Sequence, residues 1–402
     1  MKPKLRRIES QLSERNGQPV ALVHDSLGLT NRGIAVPLAL IPLLELCDGT
    51  RDEATLCAAL ALRTGIQLDT LELQRILTQL DNALLLENDR SAAAYADALE
   101  SFRAAPSRPP SMAGKAYPAY PDDLSRMLKG YLDLIPGEDD PAQAQLKGLI
   151  CPHIDFARGG QVYAGIWQRA AGAARQAELA IILGTDHLDG GLLTLTRQHY
   201  STPWGTLHTA IEVADAIGRA VGEEAAFRSE LHHRNEHSIE AALVWLHYFI
   251  GERPFEVVPI LCGSLRDFIE GTGDPTEDAA FMAAVDALKK ATASRRTLVV
   301  AAADLAHVGP AFGDRLPLDV VERARLSVAD KKLMDTMCRA DARAFFQEIK
   351  MEGARRHICG LSPIFMALRL LEGAQGEVTG YAQCPADQAG ASWVSICGVG
   401  FK

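Results

Sequence analysis

The chain lacks the marks of several large protein classes. Its eight cysteines, at 47, 57, 151, 262, 338, 359, 384 and 397, include no Cys-x-x-Cys pair. Scattered thiols of this kind read as reduced cysteines in a cytoplasm rather than as a disulfide framework. No apolar run approaches the roughly 18 residues of a membrane span. The N-terminus, MKPKLRRIESQLSERNGQPV, opens basic but has no apolar stretch behind it, so it is not expected to act as a signal peptide. Positive charge is also scarce: the net charge is −10, which argues against non-specific binding to nucleic acid or to an anionic membrane.

What remains is ordinary globular composition, 48% hydrophobic and 23% charged over 402 residues, enough for two or three domains. The clearest seam is AAPSRPPSMAGKAYPAYPDD, residues 104–123, whose prolines, serines and glycine read as a stiff, solvated linker. Residues 1–103 read as small helices with little strand. One helix is expected to end near Cys47, a second to open at Arg51-Asp52-Glu53, and a third to carry the leucines of LDTLELQRILTQLDNALLLEN. Residues 124–402 alternate instead. Apolar runs at 147–152, 178–184, 256–262 and 297–303 are separated by helical patterns such as GGQVYAGIWQRAAGAAR and EHSIEAALVWLHYFIG. This predicts an α/β fold, a central mostly parallel sheet with helices on both faces, preceded by a small mainly helical domain.

In such sheets ligands collect beyond the carboxyl ends of the strands, so the question is which strands end in chemistry. LICPHIDF delivers His153 directly after its strand, AIILGTDHLDGG delivers His187, and LVVAAADLAHVG delivers Asp304 and His307. His153 and His187 are 34 residues apart, about one βαβ unit. His237, in NEHSIEAALVWL, opens a helix and either lines the site or caps that helix. Cys359, in RRHICGLSPIF, precedes a helix whose N-terminal dipole is expected to favour the thiolate. Two histidines and one anion that leave coordination positions open are the arrangement of non-haem iron(II); a thiolate widens the choice to iron, copper or zinc. His307 then reads as the base, and Asp304 as a further ligand or as the group that orients a histidine.

The motifs CPHIDFARGGQVYAGIW, ILGTDHLDGG, STPWGTLHT, EHSIEAAL, VVPILCG, VVAAADLAHVG and HICGLSPI, in this order, resemble the Memo family. Bacterial members of that family are protein B of the AmmeMemoRadiSam system, and its fold is similar to that of the class III extradiol ring-cleavage dioxygenases. The resemblance implies a metal on His153, His187 and Cys359, with His307 at the dioxygenases' acid/base position and Asp304 in the same motif. Cys359 stands where those dioxygenases have a carboxylate. Residues 1–103, through LLELCDGTRDEATLCAAL and the leucine helix, resemble the PqqD-like winged-helix module, which implies binding of a peptide or a partner protein. Three functions follow as expectations: a redox enzyme using iron(II) or copper, with no nucleic-acid or membrane partner, acting on a peptide or on the product of a radical-SAM enzyme; a metal-dependent hydrolase; or a non-catalytic metal-containing protein that binds a peptide or partner.

Overall fold

A computed structural model describes residues 2–15, 17–136 and 146–402. The chain divides into two compact units, Met1–Ala104 and Ala105–Lys402. No helix among the described residues is long and apolar enough to cross a membrane.

The first unit is not helical throughout. It opens with three strands, β1 (Ile8–Arg15), β2 (Gln18–Asp25) and β3 (Ile34–Pro37), which form an antiparallel sheet in that order. The sequence hid this sheet because β1, IESQLSER, is exposed on both faces apart from the partly covered Ile8, so it carries no apolar alternation. Four helices follow: Ile41–Leu46, Glu53–Thr64, Thr70–Asn82 and Asp89–Ala104. Asp52 caps the second through Thr55 N at 2.9 Å, and Asp69 and Glu72 form a capping box on the third. Leu56, Leu60, Leu73 and Leu80 are fully buried with Val23 and Leu43 in one core.

The second unit is built on a ten-stranded sheet: β4 (Gly148–Cys151), β5 (Leu179–Thr185), β6 (Leu193–Leu195), β7 (Tyr200–Thr202), β8 (Gly205–Thr209), β9 (Glu256–Cys262), β10 (Thr297–Ala302), β11 (His307–Val308), β12 (Gly376–Pro385) and β13 (Trp393–Phe401). The order is β11-β13-β4-β10-β5-β9-β8-β7, with β12 on β13 and β6 on β9. The centre, β4-β10-β5-β9-β8, is parallel as expected. Both margins are antiparallel, so the sheet is more mixed than the apolar runs suggested. Helices cover both faces. Ile182, Leu298 and Val300 pack with Trp167 and Trp245 of helices Phe156–Gln176 and Ser238–Ile250. Their alternates Ile181, Leu183 and Val299 pack with Phe345, Phe346 and Phe365 of Ala342–Met351 and Leu361–Leu370. Each large side chain buried this way contributes about 1.5–3 kcal/mol.

Residues 104–123 are not a solvated linker. Arg108 is 0% exposed and Tyr117 5%. The Arg108 backbone pairs beside β7, its N donating to His199 O at 2.7 Å and its O accepting from Ser201 N at 2.9 Å. The prolines that suggested a spacer stiffen a strap that belongs to the second unit.

Candidate metal centre

The parallel register brings the strand ends together. Cys151 pairs with Ala302 and Leu183 with Ala301, so β4, β5 and β10 stop near one level. His153, His187 and Asp304 each stand two residues past the end of their strand. His237 arrives from another direction, as the N-cap of helix Ser238–Ile250. That helix start can approach β5 because residue 184 is glycine: a Cβ there would stand 2.5 Å from Ser238 Oγ and 2.6 Å from Ile239 Cγ1. Gly360 acts likewise for the Cys359 loop, since a Cβ there would meet Asp304 O at 2.3 Å.

His153, His187 and His237 each offer one ring nitrogen, and these nitrogens lie within 4.8 Å of one another. Their ring centroids are 4.9 to 5.3 Å apart. The other nitrogens are engaged. His153 Nδ1 lies 3.0 Å from Ala302 O, a carbonyl to which it can only donate, which leaves Nε2 with its lone pair. Glu236 serves the other two rings. Its Oε2 is 3.0 Å from His187 Nδ1, and its Oε1 is 3.2 Å from His237 Nδ1. The same Oε1 accepts from His237 N at 2.8 Å and Ser238 N at 2.9 Å. A carboxylate that holds Nδ1–H turns Nε2 toward a ligand and raises its basicity.

The electrostatics follow from burial and these partners. Burial lowers the proton affinity of His153 well below the usual histidine range, helped by the neighbouring His187 and His237. Burial alone would raise the Glu236 carboxyl, but the His187 hydrogen bond and the adjacent histidines hold it well below the carboxylate range. His187 moves the other way: burial opposes its charge, yet Glu236 raises its pKa overall. Burial lowers His237.

Cys359 Sγ is 3.2 Å from His153 Nε2 and 3.9 Å from Asp304 O. Burial pushes its thiol well above the usual range, with Asp304 adding to the effect. The expected gain of thiolate from the helix dipole is therefore outweighed: without a cation, desolvation wins. Asp304 is 2% exposed, and its Oδ1 accepts from His153 N at 2.8 Å and Ile154 N at 3.2 Å. Its Oδ2 is 3.7 Å from His153 Nε2. Asp304 thus holds the backbone that carries His153. His307 lies on β11 with Nδ1 3.3 Å from Leu305 O and its ring edge-on to Phe312 at 5.0 Å. Burial lowers its pKa to about 4.

Sequence reasoning placed His153, His187, Asp304, His307 and Cys359 at this edge and left His237 either to line the site or to cap its helix. The geometry groups His237 with the other two histidines as a nitrogen donor. Glu236 was missed as the orienting carboxylate; its signal was an acid directly before a histidine at a helix start. Arg108 was missed as well. Its Nη1 pairs with Glu240, Nη2 donates to Glu236 O at 2.6 Å, and Nε donates to His233 O at 2.9 Å. Glu240 also takes the Tyr117 hydroxyl and accepts from Met112 N at 2.9 Å. A single arginine in a proline-rich stretch carried no signal of this.

The fold and the cluster define an α/β protein with a partly buried three-histidine site that could hold one metal ion at the carboxyl edge of its sheet. Residues 108–398 match the family of Memo-like proteins, and the chain belongs to that family. It is 25% identical to a MEMO1 family protein of Aquifex aeolicus over 413 aligned positions that span both chains completely. A MEMO1 family protein of Methanopyrus kandleri is 27% identical over 68% of this chain and 91% of its own length. The memo-1 homolog of Caenorhabditis elegans is 27% identical over 66% of this chain and 71% of its own.

Proposed function

We propose that the cleft holds a single metal ion on His153, His187 and His237 with Cys359 beside them, iron(II) first and copper or zinc as alternatives. The observation that carries this reading is the donor set: three imidazole nitrogens within 4.8 Å, in a site whose second ring nitrogens face Ala302 O or Glu236. Neutral imidazole suits iron, copper and zinc alike, so the residues fit such an ion. Iron(II), when bound, supplies one-electron chemistry and coordination positions open to a substrate.

The chain's own residues do the rest. Glu236 keeps two rings in the tautomer that presents Nε2, and Asp304 fixes the His153 backbone. Cys359 gives up its proton only beside a cation, which couples binding to proton release. His307, kept neutral by burial, offers an imidazole to take or pass on a proton. On this reading the chain is an oxidoreductase of the dioxygenase-like kind within an AmmeMemoRadiSam system. Its PqqD-like first unit presents a peptide or the product of a radical-SAM partner.

A second reading, metal-dependent hydrolysis, is favoured by the same donor set, since three histidines with an open fourth position also serve catalytic zinc. The test is elemental analysis of protein purified without oxygen, followed by oxygen uptake of the loaded protein with reductant and peptide. About one iron per chain with oxygen consumption supports the redox reading. Zinc with oxygen-independent cleavage supports the hydrolase, and no metal at all overturns both.

A further inference from the structure

Beside His153 and His237 lies a cavity of about 50 Å³. It is lined by Met112, Ala116, Tyr117, Ile154, Phe156 and Ala241, together with the rings of those two histidines and Asp155. The polar atoms at its wall have partners elsewhere. The Tyr117 hydroxyl donates to Glu240, and Tyr117 presents a ring stacked on Phe156 at 5.5 Å. The Asp155 carboxylate accepts from Arg158 N at 3.0 Å and from Arg158 Nε at 2.5 Å. His153 Nδ1 faces Ala302 O, and His237 Nδ1 lies 3.2 Å from Glu236. His153 Nε2 already lies 3.2 Å from Cys359 Sγ, which leaves His237 Nε2 to meet a ligand's polar end. A polar group entering the rest of this space would lose its water without finding a partner.

We infer that this cavity is the subsite for a short apolar group, two to four heavy atoms long, held against the histidine cluster. Size sets the upper limit. An apolar cavity of roughly 150 Å³ holds benzene, and this one is about a third of that volume, so a six-membered ring is excluded. Two sources share the chemistry, a diatomic gas and the short alkyl end of a larger substrate. The inference rests on reading the cleft as the reaction site, but its test does not need the metal.

The full chain, stripped of metal and labelled with ¹³C at methionine methyls, is exposed to xenon under pressure and, separately, to 2-propanol and benzene. The Met112 methyl signal is assigned with Met112→Leu. A saturable shift of that signal is expected with xenon or with 2-propanol, and not with benzene. Xenon alone points to a gas; 2-propanol points to an alkyl substituent. Ala241→Leu fills the space and is expected to reduce the shift at least tenfold. Ala116→Leu does the same should the first variant fold poorly. No saturable shift with either small probe, or benzene binding as well as they do, overturns the inference. A cobalt(II) titration of the same sample reports on the metal reading separately, so the two can fail independently.

Discussion

Replacing Glu236 with glutamine changes one atom of a buried group and should disable one ligand, His187. Glu236 Oε1 accepts from two backbone N–H groups, His237 N at 2.8 Å and Ser238 N at 2.9 Å. The glutamine carbonyl must take that place, which turns the amide NH₂ toward His187 Nδ1, 3.0 Å from the present Oε2. A donor there forces Nδ1 to accept, so the proton moves to Nε2 and blocks the ligand nitrogen. Loss of such an orienting partner costs 10–100-fold in metal affinity, roughly 1.4–2.7 kcal/mol. Because only His187 meets the amide NH₂, while His237 Nδ1 still faces the carbonyl oxygen, the lower end is expected, about tenfold. Zinc affinity measured by competition with a chromophoric chelator checks this, with circular dichroism to confirm the fold. An affinity within threefold of the original would refute the tautomer argument.

Other perturbations test the frame around the cluster. Arg108→Met leaves Glu240 ionised and buried, 1% exposed at its side chain, and should cost about 3–5 kcal/mol; urea unfolding that shows a loss below about 1 kcal/mol contradicts the pairing. His233 and His247 are buried neutral, and burial lowers each pKa from 6.5 to about 4. Their contribution to stability is complete above pH 6.5 and is lost as pH falls toward 4, because the unfolded chain takes up protons first. That amounts to about 3 kcal/mol for each, and unfolding midpoints measured from pH 7 to 4 should fall accordingly. A flat profile rules this out. Gly360→Ala drives a Cβ against Asp304 O; the expected result is a lower melting temperature and faster reaction of Cys359 with a thiol reagent, while unchanged values for both mean the loop has room to spare.

The parallel centre of the sheet was legible because strands buried on both faces must read as apolar runs, and β4, β5, β9 and β10 all do. The histidines were legible for a related reason: a parallel sheet sends successive strand ends to one edge. What escaped has a different physics. β1 is solvated on both sides, so its pairing with β2 leaves no hydrophobic pattern. The two C-terminal strands read as a closing pair, which β12 and β13 form, but where that pair joins the sheet is not encoded in single-strand patterning. The burial of Arg108 depends on Glu240, 132 residues away, and prolines around it gave the opposite impression. His237 could be placed at a helix start that lines the site, but its grouping with His153 and His187 could not, because the side on which that helix approaches is set by Gly184.

The central claim is that His153, His187 and His237 form one metal site with Cys359 at its border. Cobalt(II) titration of the metal-free full chain, followed by absorption spectroscopy, tests it most directly. The account predicts saturation at about one equivalent, with visible d–d bands of low-symmetry cobalt that are lost in His153→Ala and His237→Ala. A near-ultraviolet sulfur-to-cobalt band that disappears in Cys359→Ser would place the thiolate on the metal as well. Bands unchanged by either histidine substitution, or no saturable binding at all, would contradict the site described here.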